Sequence, residues 1–504
     1  MLRRIYSLSS ASRIQLHQGQ PWLVCDYPRQ AHRLNDTAWR ILSVLKPEAP
    51  LDTLVRGVTP AVVEYLENLA AAGALRAEYF VNPPGAWPHW EVVVPVYANP
   101  QGLARCLTAL SVQTYPLARV RVTIVDDASP EPVEPQVRGR VPEGLTLRWL
   151  RCTRNVGPGA ARNLALRTPW PGAAPSERVA FTDSDCVPSP DWLSVLAALL
   201  EPGPAHAPPL SAVGTAIPGV RTDSLVARYE YACSSLNRGK TSGRVGPGWN
   251  GAPYLPTANL AVNREALTSV GGFREELRFG EDVDLCLRLA AQGHRLFYFA
   301  QGGAVAHDHG AGWSGFLRRR WHYAASEAWL RFHHPLGFPP SRLGGVSWGL
   351  GVLAGAMLFS DTPGGWALGG AGVALLMWPG KRRGTLDAPS SLLSWSWRVQ
   401  GLALLRGWTV RLLTGCRVLI RQGLAYWVVL ALAFPALWPW VTSVFALGAL
   451  AEWLARRPVL SPWEFLLGYG MECLAYSLGR GWGQCQLWAR AWRGREPESG
   501  NGGG

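Results

Sequence analysis

The chain has little charge for its length, few cysteines and none of several familiar motifs. Only 17% of its 504 residues are Asp, Glu, Lys or Arg, whereas 48% are hydrophobic. An ordinary soluble domain carries about 25% charged residues, so this composition excludes a largely disordered chain and indicates a membrane or a large buried surface. The nine cysteines show no CxxC spacing, which excludes a disulfide scaffold and predicts reduced, cytosol-facing thiols. There is no zinc-finger spacing and no nucleotide P-loop.

The first residues also lack the pattern of an export signal. Arg3 and Arg4 are not followed by an apolar run of about seven residues before position 16. We therefore expect any membrane insertion to use later segments of the chain.

Residues 1–81 predict a small winged-helix-like α+β module. Two short apolar runs within residues 13–25, separated by a polar turn, are typical of a hairpin. Two helices follow. One is expected to be capped by Asn35 or Asp36, and the other begins at Thr59 with a proline in its first turn.

A winged helix raises the question of DNA binding, and the charge argues against it. Residues 52–73 contain Arg56 and three acidic residues, whereas a phosphate-tracking face is rich in Lys and Arg. The module instead resembles the peptide chaperones of pyrroloquinoline quinone biosynthesis, in LNDTA at 34–38, the apolar pair at 41–42 and LAAAGAL at 69–75. That resemblance implies a domain that holds the leader of a precursor peptide as an added strand.

A proline-rich linker at residues 82–90 precedes an alternation of strands and helices over residues 91–335. This alternation predicts a mostly parallel sheet. The expected strands are 91–97, 121–125, 147–150 and 178–181. Ligands of such sheets bind at the carboxyl ends of the strands, and two acidic clusters, at 126–127 and 183–185, directly follow strands. A ligand site is therefore expected at this edge.

The chemistry of three acidic clusters fits a metal and a base. Asp183 and Asp185 are hard oxygen ligands that suit Mg²⁺ or Mn²⁺ held on phosphates, although helix capping would explain an isolated pair. A turn would explain the cluster at 126–127 in isolation. Glu281 and Asp282 open a predicted helix, whose dipole is expected to keep Asp282 ionised as a general base requires. Simple charge complementarity to the helix is the alternative.

Six motifs occur in order along this part of the chain. They are PVY at 95–97, VDDAS at 125–129, NVGPGAARN at 155–163, DSD at 183–185, GGF at 271–273 and GEDVD at 280–284. As a set they resemble the family 2 inverting glycosyltransferases over roughly residues 90–335. The resemblance implies the GT-A fold, an α/β architecture in which a Rossmann-like nucleotide-sugar sheet is joined to an acceptor-binding half.

The resemblance also implies a donor site for a UDP-sugar. Pro95 and Tyr97 would line the uracil pocket, and Asp127 would bind the base. Asp183 would lie by the ribose. Asp185 would hold a divalent metal, Mn²⁺ or Mg²⁺, on the diphosphate.

On the acceptor side, the resemblance implies that Asp282 is the general base and that Glu281 positions the acceptor or the base. Some relatives place a histidine after the last strand as a further metal ligand, so His307 or His309 is a candidate. The alternative is that both belong to a polar loop.

Residues 317–321, LRRRW, are similar to the QxxRW box of processive members but have leucine in the first position. That departure puts processivity in doubt. Arg320 and Trp321 could still bind phosphate and sugar. A basic amphipathic helix on anionic lipid would explain the same arginines.

Residues 336–492 predict membrane-associated helices. The apolar stretches are 343–378, expected as a re-entrant hairpin or two spans, and 423–451, expected as one span or a broken pair, with an interfacial helix at 392–421 between them. From residue 340 onward there are 15 Lys or Arg, 7 Asp or Glu and 14 of the 25 tryptophans, a pattern of membrane interface and not of nucleic acid. Residues 493–504 are expected to form a disordered tail, and the catalytic domain to face the cytoplasm at the cell membrane.

The order of the domains is similar to the glycosyltransferase family of mycofactocin biosynthesis. This implies transfer of a hexose, with glucose as the expected sugar, from a UDP-sugar to that peptide-derived redox cofactor or its precursor peptide. A membrane glycosyltransferase with a lipid or cell-surface polysaccharide acceptor is the alternative enzyme. A non-catalytic, peptide-binding membrane scaffold is the alternative of another class.

Overall fold

The computed structural model describes residues 2–26, 29–45, 59–202, 209–247, 254–310, 312–335, 337 and 397–493. Within these residues the chain divides into two compact units. One contains the described residues of 2–220 and 235–308, and the other those of 221–234 and 309–493. The N-terminal module and the α/β domain thus share one unit, and the helical unit begins earlier in the chain than the expected boundary at residue 335.

The N-terminal module contains five strands and two helices among its described residues. In chain order they are β1 (Leu2–Leu8), β2 (Ser12–His17), β3 (Gln20–Asp26), β4 (Arg29–Arg33), α1 (Asp36–Val44), α2 (Pro60–Ala71) and β5 (Leu75–Val81). Strands β2, β3 and β4 form an antiparallel sheet, and β1 pairs with β5. The hairpin was predicted, whereas β1, β4 and β5 were not. Strands β1 and β5 escape a local pattern because they pair with each other across the whole module.

Local capping explains where the two helices of the module begin. The Asn35 side chain accepts a hydrogen bond from the backbone N–H of Ala38 at 2.8 Å, so Asn35 and not Asp36 is the cap. Thr59 caps α2 in the same way and is followed by proline at the first helical position. Both predicted helices are confirmed.

The α/β domain follows the linker and leads into a long helix. In chain order the elements are β6 (Trp90–Val96), α3 (Pro100–Ser111), β7 (Val120–Asp126), α4 (Val133–Val137), β8 (Thr146–Arg151), α5 (Pro158–Arg167), β9 (Arg178–Phe181), β10 (Cys186–Pro188), α6 (Trp192–Leu200), β11 (Ala212–Thr215), α7 (Leu225–Cys233), β12 (Gly243–Val245), β13 (Leu260–Asn263), α8 (Arg264–Ser269), α9 (Glu281–Ala291), β14 (Leu296–Phe299), β15 (Val305–His307) and α10 (Trp313–His333). Helices α7 and α10 belong to the helical unit.

The main sheet has eight strands in the order β12-β14-β11-β13-β9-β6-β7-β8. Strands β9, β6, β7 and β8 are parallel to one another, as predicted, and β13 runs antiparallel between β9 and β11. Every residue of β6 is buried, because apolar clusters cover both faces of the sheet. This arrangement brings the carboxyl ends of β6, β7 and β9 to one edge.

The helical unit also contains α11 (Trp397–Ala433), α12 (Trp438–Arg456) and α13 (Pro462–Arg493). Two helical segments, Leu412–Ala433 and Pro435–Arg456, are long and apolar enough to cross a membrane. The break between them falls next to Pro435, which cannot donate a helical hydrogen bond. The apolar stretch at 423–451 is therefore a broken pair of helices and not one continuous helix. The helix predicted at 392–421 is present from residue 397 onward, and it continues without a break to Ala433. The predicted hairpin at 343–378 and the tail lie outside the described residues.

Candidate active site

The first acidic cluster lies where β7 ends, and its two carboxylates hold the surrounding turns. Asp126 accepts hydrogen bonds from the backbone N–H groups of Ser129 (2.8 Å) and Val133 (3.1 Å) and pairs with Arg151. Burial raises the pKa of Asp126, but these hydrogen bonds and the arginine outweigh it and bring the pKa below its ordinary value. Asp126 is therefore structural.

Asp127, the predicted base-binding residue, joins β7 to the glycine-rich turn before α5. Its two oxygens accept the backbone N–H groups of Val156 (2.8 Å) and Gly157 (2.9 Å). Gly157 has φ +92°, a conformation that favours glycine. Of the other predicted donor-site residues, Pro95 is buried within β6 and Tyr97 is 52% exposed just beyond it.

The second acidic cluster forms a compact set of metal-ligand candidates. Side-chain donor atoms of Asp183, Asp185, Cys186 and His307 lie within 4.8 Å of one another. Strand β10 pairs with β15 so that Cys186 faces His307, and His307 Nε2 lies 3.5 Å from Asp185 Oδ1. His307 thus belongs to a strand beside the DxD motif and not to a polar loop.

The donor set fits a hard divalent cation such as Mn²⁺ or Mg²⁺. Carboxylates and imidazole are ligands that Mn²⁺ accepts, and Mg²⁺ favours the carboxylates. The Cys186 thiol is a weaker candidate ligand than the carboxylates and the imidazole. Burial and the charges of Asp185 and Asp183 hold its pKa well above the ordinary value. Asp185 and His307 remain the strongest candidates. Among the histidines, His309 lies in the helical unit, where its Nδ1 is 4.0 Å from Glu230.

A buried arginine connects the metal-ligand candidates to the third acidic cluster. Arg162 of α5 is 1% exposed. Its Nη2 donates to Asp183 at 2.6 Å and its Nη1 donates to Glu281 at 2.9 Å. The sequence placed Arg162 inside the NVGPGAARN motif but assigned it no role; its position in that motif was the available signal.

The predicted base and its neighbour open α9, as expected from the sequence. Burial, reinforced by the charge of Asp282 and opposed by Arg162, raises the pKa of Glu281 to about 7. Burial also raises the pKa of Asp282, while the backbone N–H of Val283, which donates to it at 2.8 Å, lowers it. The helix terminus therefore acts in the predicted direction on Asp282, but burial opposes it.

Two further contacts fix the loop before α9. Asn163 accepts from the backbone N–H of Phe273 at 2.9 Å and donates to its carbonyl at 2.8 Å. Asp284, which is fully buried, pairs with Arg274 at 3.1 Å and Arg288 at 2.7 Å. The GGF and GEDVD motifs thus act together to place Asp282.

Within the box at residues 317–321, Arg320 has a different environment from the two that were predicted, a sugar-phosphate site and an exposed basic face. Arg320 is 3% exposed and pairs with Glu230 at 3.0 Å and Glu472 at 3.5 Å, all within the helical unit. It is therefore neither on an exposed basic face nor free of carboxylate partners. The backbone of Trp321 packs against Gly479, where an added Cβ would lie 2.3 Å from the carbonyl oxygen of Trp321.

A mixed sheet with four neighbouring parallel strands, and with candidate metal ligands and a carboxylate pair at one edge, is the arrangement expected of a nucleotide-sugar transferase. Residues 91–267 match the family described as Glycosyl transferase family 2. The chain therefore carries a glycosyltransferase domain.

Particular relatives are similar to parts of this chain. The pre-mycofactocin glycosyltransferases of two Mycobacterium tuberculosis strains are each 34% identical over 290 residues, which cover 55% of this chain and 57% of theirs. Glycosyltransferase AglE of Haloferax volcanii is 27% identical over 218 residues, 42% of this chain and 64% of that protein. The matches thus span a little over half of the mycobacterial relatives.

Solved structures share a weaker similarity. The mannosyltransferase PcManGT from Pyrobaculum calidifontis, in complex with GDP-Man and Mn²⁺, is 22% identical with a TM-score of 0.39, covering 66% of this chain and 88% of that one. S. aureus TarS 1–349 is 15% identical with a TM-score of 0.36, covering 80% and 92%.

Proposed function

We propose that the protein is an inverting glycosyltransferase that moves a hexose from a UDP-sugar to a hydroxyl of its acceptor. One observation carries this proposal. The tertiary structure gathers Asp183, Asp185 and His307 at one sheet edge and links them through Arg162 to the carboxylate pair that includes Asp282.

In the proposed reaction, Asp282 accepts the proton of the acceptor hydroxyl as its oxygen attacks the anomeric carbon of the sugar. The bond between that carbon and the diphosphate oxygen breaks, and UDP leaves with the electron pair. Attack opposite the leaving group gives inversion. Glu281, held by Arg162, lies next to the base and positions it or the acceptor.

On the donor side, Asp127, Pro95 and Tyr97 are proposed to bind the uracil, and Asp183 the ribose. Asp185 and His307 would hold Mn²⁺ or Mg²⁺, which when bound offsets the charge of the diphosphate. The raised pKa of Asp185, caused mainly by burial, is partly offset by the neighbouring His307.

For the acceptor, we propose pre-mycofactocin or a related peptide-derived cofactor, with glucose as the sugar. The support is the 34% identity to the mycobacterial relatives of that name. The N-terminal module is proposed to hold the precursor peptide by strand addition, for which the outer strands of its β2-β3-β4 sheet are suited.

A second candidate keeps the chemistry and changes the acceptor to a lipid or a cell-surface polysaccharide at the cell membrane. The two apolar helical segments, Leu412–Ala433 and Pro435–Arg456, favour it. In either case we propose that the enzyme works at the cytoplasmic membrane surface. The carboxylates and Arg162 brought together at the sheet edge argue against a non-catalytic scaffold.

The test is UDP release by the detergent-solubilised full chain with Mn²⁺ and UDP-glucose. Acceptors would be pre-mycofactocin, a polyprenyl phosphate and a glycolipid. Turnover on pre-mycofactocin that is lost in Asp282→Asn supports the leading proposal, and turnover only on lipid supports the second. Glu276→Gln removes an exposed carboxylate from the loop before α9 and is the matched control. Turnover that survives Asp282→Asn contradicts the assigned base.

A further inference from the structure

Arg238 lies in the loop before β12, and it has no part in the reaction as described so far. Hydrogen bonds to β14 and to the residue that follows it fix this loop. Tyr298 donates its hydroxyl to the carbonyl of Gly239 at 2.8 Å, and the backbone N–H of Ala300 donates to Ser242 at 2.9 Å. Gly239 has φ +91°, which favours glycine at that turn. The backbone on either side of Arg238 is therefore held in place.

The contacts of Arg238 lead to the face of α9 that carries the proposed base. Its Cζ lies 3.9 Å from the centroid of the Tyr254 ring. The next residue, Leu255, exchanges hydrogen bonds with Cys286, its N–H donating to Sγ at 3.3 Å and the thiol donating to its carbonyl at 3.6 Å. Cys286 follows Asp282 by one helical turn on the same face. Arg238 therefore lies over the ring of a residue whose neighbour, Leu255, is bonded to the face of α9 that carries Asp282.

Two nitrogens of Arg238, Nε and Nη2, are buried and have no hydrogen-bond partner among the residues that the structure describes. Over the same residues, Asp282 has no ion pair within 4.0 Å. Asp282 is half-buried, and a carboxylate partly withdrawn from water without a counter-charge tends to take up a proton.

Among the residues that the structure describes, Arg162 and Arg238 are the cations with the largest effect on Asp282. The charged and titratable groups that act on it, together with those beside it, are Glu281, Cys286, Arg162, Asp183, Arg238 and Tyr254. Arg162 already donates one terminal nitrogen to Asp183 and the other to Glu281. Arg238, by contrast, forms no ion pair with any carboxylate in the described part of the chain.

We propose that Arg238 is a positioning residue, which supplies the counter-charge that keeps Asp282 a carboxylate able to accept the acceptor's proton. This inference rests on the proposed function. The guanidinium remains charged throughout the working pH range, so its effect on Asp282 is constant. The proton moves from the acceptor oxygen to Asp282, and Arg238 exchanges none.

The test is the pH profile of kcat/KM for the full chain with UDP-glucose, Mn²⁺ and pre-mycofactocin. In Arg238→Gln we expect the acidic limb to move upward by about one pH unit, with rates that recover toward wild type at alkaline pH. Arg238→Lys keeps the charge, so its acidic limb is expected to stay near that of wild type. Lys240→Gln removes an exposed charge from the same loop and should leave the profile unchanged.

An unmoved acidic limb in Arg238→Gln, or an equal loss at every pH, overturns the proposal. If Arg238→Gln lowers the thermal midpoint, Arg238→Lys decides: a limb at the wild-type position supports the proposal, and a displaced limb overturns it. Failure of the proposed function would look different, because turnover would then persist in Asp282→Asn whatever stands at position 238.

Discussion

At the scale of single residues, the site depends on a guanidinium shared between two carboxylates. Arg162 is almost inaccessible to solvent, and its two terminal nitrogens reach Asp183 and Glu281. An arginine in this position fixes the distance between the DxD motif and the start of α9. Because the Glu281 side chain is 9% exposed and that of Asp183 is 29% exposed, removing the guanidinium would leave one buried and one half-buried acidic group without their shared partner.

We therefore expect Arg162→Met to destabilise the protein by about 3–5 kcal/mol, the usual cost of breaking a buried ion pair from one side. Arg167→Met is the control, since Arg167 lies on the same helix and its side chain is 62% exposed; its effect should stay within about 0.5 kcal/mol. Urea unfolding followed by fluorescence measures both. Equal losses in the two variants would contradict the structural role of Arg162.

The raised pKa of Glu281 predicts a pH dependence of stability. The folded protein keeps the Glu281 proton up to about pH 7, while the unfolded chain releases it near 4.5. Unfolding therefore releases a proton between these values, and this group's contribution to stability falls as pH rises through the window. The thermal midpoint of wild type should drop more from pH 5 to pH 8 than that of Glu281→Gln. Glu276→Gln, on an exposed residue, should follow wild type, and parallel curves for all three proteins would refute the assignment.

At the scale of elements, a pairing of two three-residue strands brings the candidate metal ligands together. Strand β10 continues directly from the DxD motif, and β15 ends at His307. Their antiparallel register sets Cys186 opposite His307, and the backbone N–H of Asp308 donates to the carbonyl of Asp185 at 3.0 Å. The pairing thereby brings the imidazole to the carboxylate.

If His307 is a ligand, His307→Ala should weaken Mn²⁺ binding by about 10- to 100-fold. Calorimetric titration of the purified full chain with MnCl₂ measures this directly and does not require turnover. His89→Ala is the matched control, because His89 is exposed just before β6, at the opposite end of the sheet from the site. Unchanged affinity in His307→Ala would leave Asp185 without its proposed partner.

At the scale of the first unit, the N-terminal module is fastened to the α/β domain by packing and charge. The rings of Tyr79 and Phe297 meet edge to face with centroids 5.0 Å apart. Arg295 pairs with Glu64 at 2.9 Å, and Arg244 lies 3.6 Å from the same carboxylate. The module therefore packs directly against the α/β domain, and we expect its stability to depend on this contact.

Truncating Tyr79 should expose this dependence. Tyr79→Ala is expected to cost about 3 kcal/mol, because it removes a buried aromatic side chain from a packed interface. Phe80→Ala is its control on the same strand, since Phe80 is 49% exposed. Differential scanning calorimetry compares the two, and faster cleavage in the linker at residues 82–90 should accompany the loss in Tyr79→Ala. Indistinguishable variants would show that the contact contributes little.

Much of the fold could be predicted because its signals are local. The cap at Asn35, the proline after Thr59 and the apolar run of β6 act through neighbouring residues. The motifs likewise located Asp183 and Asp282, because each follows or opens an element that the pattern predicts. By contrast, β1 and β5 could not be predicted, because each depends on its pairing with the other across the module.

By itself, the sequence determined the predicted helices, the parallel strands and the identity of the acidic clusters. Only the tertiary structure decided that Arg162 bridges Asp183 to Glu281, that His307 joins Asp185, and that Arg320 is buried between carboxylates. Arg162 and Glu281 are 119 positions apart. Pairing over such a distance depends on the register of strands and the packing of helices, and no local propensity specifies either one.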